Sequence, residues 1–146
     1  MQELLFICTG NFYRSRFAEA VFNAEALRRA IPWRAFSRGL AVHLVSGDLS
    51  PHAVEALRGR GIDLALTGAT RVALTEGDLR RASKIVALKE AEHRPLMRRL
   101  FPSWEARVEY WGIDDIDGAS PAEALPRLEA QVLACLEDIA PARALA

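Results

Sequence analysis

Leu4 to Ile7 is a short, uninterrupted apolar run stopped by Thr9-Gly10-Asn11, the pattern of a strand buried on both faces that enters a turn. From Ser15 onward Phe17, Ala20, Val21, Ala24 and Leu27 recur at spacings of three and four. That period predicts a helix with one apolar stripe running to about Ala30, before Pro32. Trp33 to Ser37 predicts a second strand, and Arg38 to Ser50, with Gly39 and Gly47 and no period of its own, a loop. Ser50-Pro51 caps and starts a helix carrying Val54 and Leu57, with Gly61 placed for a left-handed C-cap. Lys84 to Leu88 is the next apolar strand, followed by a basic helix around Glu90 to Leu100 that Pro102 terminates. Arg107 to Trp111 is the last strand candidate. Ser120-Pro121-Ala122-Glu123 then combines a cap, a first-turn proline and a Glu at the third helical position. Leu125, Leu128, Val132, Leu136 and Ile139 continue it as a long amphipathic terminal helix. Strands alternating with helices imply an α/β fold: an open parallel sheet with right-handed crossovers and its ligand site at the carboxyl ends of the strands.

With 146 residues, 51% of them hydrophobic, the chain suits one domain spanning 1–146. Lys+Arg and Asp+Glu each number 19, so no basic surplus points to nucleic acid or an anionic membrane. Any anion specificity must be local. The opening Met-Gln-Glu-Leu-Leu-Phe-Ile has no basic leader region, and its apolar run is far shorter than a membrane span of ~20 residues. A soluble, cytoplasmic protein, monomeric or weakly dimeric, is expected. Cys8 and Cys135 are the two cysteines, a poor disulfide framework that suits a reduced compartment and a working thiol.

The segment Cys8-Thr9-Gly10-Asn11-Phe12-Tyr13-Arg14-Ser15 places a thiol and a guanidinium, with five residues between them, at the two ends of a tight loop between strand and helix. Gly10 and Asn11 are the residue types that best tolerate positive φ, so the loop can turn successive N–H groups inward as an anion nest. The helix that follows adds the positive end of its dipole. Those dipoles and Arg14 favour the thiolate of Cys8, which makes it a nucleophile. Arg14 suits a bidentate grip on two phosphoryl oxygens, and the Ser15 hydroxyl suits donation to the sulfur. Neither metal nor cofactor is required. Taken singly, Cys8 reads as a small buried hydrophobe, Arg14 as a solvated first-turn residue and Gly10-Asn11 as any turn. The combination in this context implies a phosphate-binding loop formed by Thr9, Gly10, Asn11, Phe12, Tyr13 and Ser15 around a catalytic Cys8 and Arg14.

In these residues the chain resembles the low-molecular-weight protein tyrosine phosphatase family, whose loop reads Cys-x-Gly-Asn-x-Cys-Arg-Ser-Pro directly after the first strand. Cys8, Gly10, Asn11, Arg14 and Ser15 match. Ala18-Glu19-Ala20-Val21-Phe22, Ser37, Gly39 and Gly61-Ile62-Asp63-Leu64 extend the register along the chain. The resemblance implies a four-stranded parallel sheet with helices on both faces, and a metal-free phosphomonoester hydrolase working through a phosphocysteine. The implied partner is a phosphorylated protein or a small aryl phosphate. It further implies that Asn11 holds the strained loop and that Ser37 hydrogen-bonds to it. The family's acid lies in a Trp-x-Ile-Pro-Asp-Pro-Tyr-Gly segment after the last strand. Here Trp111-Gly112-Ile113-Asp114-Asp115-Ile116-Asp117-Gly118 occupies that place, and counting from Trp111 or back from Gly118 puts the acid at Asp115. The other reading is an Asp-rich turn before a helix, with side chains capping backbone N–H groups; capping is expected of Asp114 and Asp117.

Four positions depart from the family pattern. Tyr13 replaces the second loop cysteine, so the family's protective intraloop disulfide cannot form. Arg16 and Ile116 replace prolines, which removes backbone restraint from both loops. Asp117 replaces an aromatic that walls the slot for a phenyl ring. His43 falls in a loop where the family offers a wall, although an exposed histidine is more often solvated. Phe12 and Tyr13 offer a substitute wall, or simple packing. Two alternatives remain: a thiol-dependent arsenate reductase, for which only Cys135 is available as a second thiol, and a phosphate or phosphopeptide sensor with little turnover. Cys135 sits between Val132 and Leu136 and reads as core.

Overall fold

A computed structural model of the chain describes residues 1–140; the last residues of the expected domain, 141–146, lie outside them. Strand β1 (Gln2–Cys8) is flanked by β2 (Trp33–Gly39) and β3 (Lys84–Ala87), and β4 (Glu109–Tyr110) follows β3, giving the order β2-β1-β3-β4 with every pair parallel. The expected α/β architecture is therefore present. β4 is shorter than its candidate segment because Pro102–Arg107 winds into a 3-10 turn that carries Trp104 into the core.

The alternation of β1 sorts the helices. Leu4 and Phe6 pack with residues of α1 (Arg14–Arg28), α2 (Pro51–Gly59) and α5 (Pro121–Ile139). Leu5 and Ile7 point the other way, into a second cluster with Leu79 of α3 (Glu76–Arg81) and Met97 of α4 (Glu90–Leu100). All four are fully buried, which is why β1 reads as a continuous apolar run rather than an alternating one.

Three local details differ from the sequence reading. α1 has no single apolar stripe: from Arg14 to Asn23 it is buried all round, while Leu27 is 70% exposed. The helix is enclosed by β1, β2, α2, α5 and the turn at Leu64–Leu66, so its polar residues turn inward onto partners of their own. α3 was not foreseen. It is only six residues long but carries a reciprocal cap, in which Asp78 N–H donates to Thr75 Oγ1 at 3.2 Å and Thr75 N–H to Asp78 Oδ2 at 3.0 Å. At the start of α5, Ser120 donates its hydroxyl to the Glu123 carboxylate at 3.0 Å instead of capping a backbone N–H.

Candidate active site

The Cys8-to-Ser15 segment leaves β1 at its carboxyl end and enters α1 at Arg14. Its carbonyls are turned outward and tied down. Cys8 O accepts from Leu40 N at 2.9 Å, Thr9 O from Ala41 N at 2.8 Å, Phe12 O from Ser50 N at 2.9 Å and Tyr13 O from Phe17 N at 3.1 Å. A peptide unit that points its carbonyl out points its N–H in. The tied carbonyls of Thr9, Asn11 and Phe12 share their peptide units with the N–H groups of Gly10, Phe12 and Tyr13, which leaves a concave set of donors suited to an anion.

Asn11 holds the loop's left-handed residue, φ 51°, a conformation Asn tolerates better than other side chains. Its amide uses every polar atom: Nδ2 donates to Ser15 Oγ and to Ser37 Oγ, both at 3.0 Å, and Oδ1 accepts from Val72 N at 2.8 Å. Gly39 has a steric reason of its own, since a Cβ there would stand 2.8 Å from Thr9 O and 2.9 Å from Asn11 N. Ser15 Oγ lies 2.9 Å from Cys8 Sγ. Asn11 already donates to that oxygen, and when Cys8 is a thiolate the hydroxyl hydrogen has the sulfur as its acceptor.

Behind the loop runs a chain of buried polar groups. Ser37 donates to Glu19 Oε1 at 2.6 Å, Thr67 donates to the same oxygen at 2.7 Å, and Arg16 Nε donates to Thr67 Oγ1 at 2.6 Å. Arg16 also donates to Asp48 O at 2.8 Å, to Gly68 O, and to Asn11 O at 3.4 Å. It is 2% exposed.

Arg14, also 2% exposed, meets residues from two other elements. Its Nη1 donates to Glu92 Oε1 at 3.1 Å and to Ile113 O at 3.0 Å, and its Nη2 to Glu92 Oε2 at 2.7 Å. Asp115 Oδ2 is 3.5 Å from Nη2, with the Asp115 side chain 40% exposed at the open side of the loop. Burial works against the guanidinium charge, but the Glu92 hydrogen bond and the surrounding anions outweigh it and raise the Arg14 pKa. Thr9 donates to Glu92 Oε2, and His93 Nε2 lies 3.1 Å from Thr9 Oγ1 and 3.2 Å from Glu92 Oε2. Burial tends to raise the Glu92 carboxyl, yet hydrogen bonds from His93, Arg14 and Thr9 hold it far below the ordinary carboxylate range.

The loop after β4 presents Asp115 through its own turn, with Gly118 and Ala119 N–H donating to Asp115 O at 2.9 and 3.0 Å. Asp115 Oδ1 accepts from Ile116 N at 2.9 Å. Asp114 does not cap: its carboxylate pairs with Lys89 Nζ at 2.6 Å, and Asp117 is exposed in the turn. His43 is exposed on the short turn Val42–Leu44. Tyr13 is 5% exposed and belongs to the core, its ring edge-on to His52 with centroids 6.5 Å apart. Phe12 is half-buried with its ring beside Gly47.

Cys135 is 6% exposed on the buried side of α5. Burial pushes its thiol up to about 11, with the Lys84 charge acting in opposition.

Glu92, His93 and Thr67 carry no signal in the sequence pattern, where Arg16 reads only as a lost proline and Glu19 only as part of the register. The order of the elements carries one for Glu92. The chain runs from β1 to β2 on one side and returns to β3 on the other, so the first turns of α1 and α4 face one crevice at the strands' carboxyl ends. An acidic first turn on a helix is ordinarily read as dipole compensation, which hid it.

A family model described as low molecular weight phosphotyrosine protein phosphatase matches residues 3–123. The arsenate reductase of Brevibacillus brevis is 35% identical over 115 residues, 79% of this chain and 77% of that protein. The protein-arginine-phosphatase of Bacillus subtilis is 31% identical over 106 residues, 73% of this chain and 67% of that protein. Among solved structures, the low molecular weight protein tyrosine phosphatase from T. tengcongensis superposes with a TM-score of 0.81 at 25% identity, over 94% of this chain and 99% of that one.

Proposed function

The chain belongs to the low molecular weight phosphotyrosine protein phosphatase family, a family of cysteine-based phosphatases, and on that premise we propose that it hydrolyses aryl phosphate monoesters, phosphotyrosine in proteins among them. The observation that carries this reading is the loop itself: carbonyls tied outward, N–H groups turned inward, and Cys8 and Arg14 at its two ends.

Phosphate enters the nest and two of its oxygens are gripped by Arg14. Cys8 Sγ attacks phosphorus in line; the S–P bond forms as the bond to the leaving oxygen breaks, and Asp115 gives that oxygen its proton. Water then attacks the phosphocysteine, loses a proton to Asp115, and inorganic phosphate departs as the S–P bond breaks. Ser15 Oγ, 2.9 Å from the sulfur, donates its hydroxyl hydrogen to the thiolate before the first step and after the second.

The aryl preference is supported by the rim. Leu44 is 68% exposed beside Val45, which packs on Gly10, and Ile116 is 49% exposed next to Asp115. Two exposed apolar side chains flanking a charged floor suit a flat ring better than a polar leaving group. Arsenate reduction, the activity in the name of the Brevibacillus relative, would, if relayed through a second thiol of this chain, have to use Cys135, which is buried on α5.

The test is turnover of p-nitrophenyl phosphate and of phosphotyrosine and phosphoarginine peptides by wild type and Cys8→Ser, with and without a chelator. Chelator-resistant, Cys8-dependent hydrolysis that favours the phosphotyrosine peptide is expected. Preference for phosphoarginine would overturn the aryl assignment, and binding of phosphate without turnover would make the chain a sensor.

A further inference from the structure

We infer that Glu92, which lies outside the phosphate loop, is a positioning residue that aims the guanidinium of Arg14 at the bound phosphoryl group, and that His93 and Thr9 in turn aim Glu92. This rests on the phosphatase reading.

Counting donors carries the inference. A guanidinium has five N–H donors in a fixed plane. Nη1 spends both of its hydrogens, on Glu92 Oε1 and Ile113 O, and Nη2 spends one on Glu92 Oε2. What remains is Nε–H and the second Nη2–H, side by side on one edge of the plane. That edge is the pair a bidentate grip on two phosphoryl oxygens needs. In the free protein Asp115 Oδ2 stands 3.5 Å from Nη2, so an incoming phosphate displaces only Asp115, the group that must leave to act as acid. Glu92 and Ile113 keep the guanidinium in place while this happens.

Glu92 is itself held. Lys89 N–H donates to His93 Nδ1 at 3.0 Å, which places the ring proton of the neutral imidazole on Nε2. Nε2–H then faces Thr9 Oγ1 at 3.1 Å, and the Thr9 hydroxyl donates onward to Glu92 Oε2. His93 is fully buried, and burial keeps it neutral despite the adjacent carboxylate. The start of α4 is thus tied through four side chains to the end of the phosphate loop, across the crevice where the sheet order reverses.

The deciding measurements are phosphate affinity by calorimetry in the Cys8→Ser background, where nothing turns over, and kcat and KM on p-nitrophenyl phosphate in the otherwise native chain. Glu92→Ala is expected to weaken phosphate binding about tenfold and to lower kcat/KM by about 10- to 100-fold, with Glu92→Gln between it and wild type. The dependence of kcat on leaving-group pKa, which belongs to Asp115, should not change. In an Arg14→Lys background, where no planar fork remains to be aimed, the same substitution should cost less than about twofold. An equal cost in both backgrounds would show that Glu92 acts only on the fold and would overturn the inference. So would unchanged phosphate affinity in Glu92→Ala or, should that variant not fold, in Glu92→Gln. A wild-type chain that neither binds phosphate nor cleaves the ester would instead sink the phosphatase reading, and this inference with it.

Discussion

Arg16 Nε donates to Thr67 Oγ1 at 2.6 Å, and that bond links the first turn of α1 to the segment before α3. Through Thr67 and Glu19 it continues to Ser37 and Asn11, and through Arg16 Nη1 it returns to Asn11 O, closing a ring of polar groups under the phosphate loop. The family has proline at the position of Arg16, where a fixed φ restrains the chain. Here the restraint comes from side-chain bonds instead.

Arg16→Ala removes that restraint and leaves Thr67 Oγ1 and the Asp48 and Gly68 carbonyls without the guanidinium they accept from. Breaking a buried, hydrogen-bonded charge in this way costs about 3 kcal/mol or more, equivalent to a drop of about 10 °C in Tm. Thermal and denaturant unfolding of the two proteins should show it. A change within about 0.5 kcal/mol would mean the ring contributes nothing net.

Asp115→Asn should lower kcat by about 10²–10⁴-fold for esters with poor leaving groups and by less for activated ones, since general acid catalysis matters most where the leaving oxygen needs its proton. Asp114→Asn, which loses the Lys89 ion pair, and Asp117→Asn should change kcat less than about tenfold. Single variants measured over leaving groups of graded pKa separate the three. Steep dependence in Asp117→Asn, with none in Asp115→Asn, would move the acid by two residues.

Peroxide should inactivate the chain irreversibly. Tyr13 offers no thiol, and Cys135, the other cysteine, is buried on α5, a different element from the loop. A disulfide needs Cα atoms within ~7 Å. Oxidised Cys8 therefore proceeds to sulfinic or sulfonic acid, and dithiothreitol should restore less than about a tenth of the activity. Mass spectrometry of the Cys8 peptide checks it, and a Cys8 to Cys135 disulfide would refute it.

Stability should fall as the medium is acidified below the ordinary histidine value of 6.5. Burial depresses the folded-state pKa of His93, outweighing the Glu92 hydrogen bond that favours protonation. Between the two values the unfolded chain binds the proton and the folded chain does not, so acid favours unfolding, with a slope of at most about 1.4 kcal/mol per pH unit from this group. Below 4.5 the depressed Glu92 carboxyl adds a loss of the same sign. Denaturant melts at graded pH should show the first limb in wild type and its absence in His93→Gln.

Local chemistry writes the short segments of this fold directly into the chain. The apolar run Leu4–Ile7, the turn at Gly10-Asn11 and the spacing of Cys8 and Arg14 specify strand, loop and helix entry without help from the rest of the chain, and α4 begins and ends where its residues predict. Which distant groups meet at that loop depends on how the elements pack. Glu92 reads as a first-turn acid and Arg16 as a lost proline until the β2-β1-β3-β4 order brings α4 against the loop and the segment 67–68 against α1. The stripe through Leu27 failed for a related reason: α1 is enclosed on all sides, so its polar face had to find buried partners, and periodicity records burial on one side only. Sequence spacing encodes contacts within a turn or a strand, whereas a crevice at a topological switch point is made by elements up to about a hundred residues apart, and no local pattern carries their register.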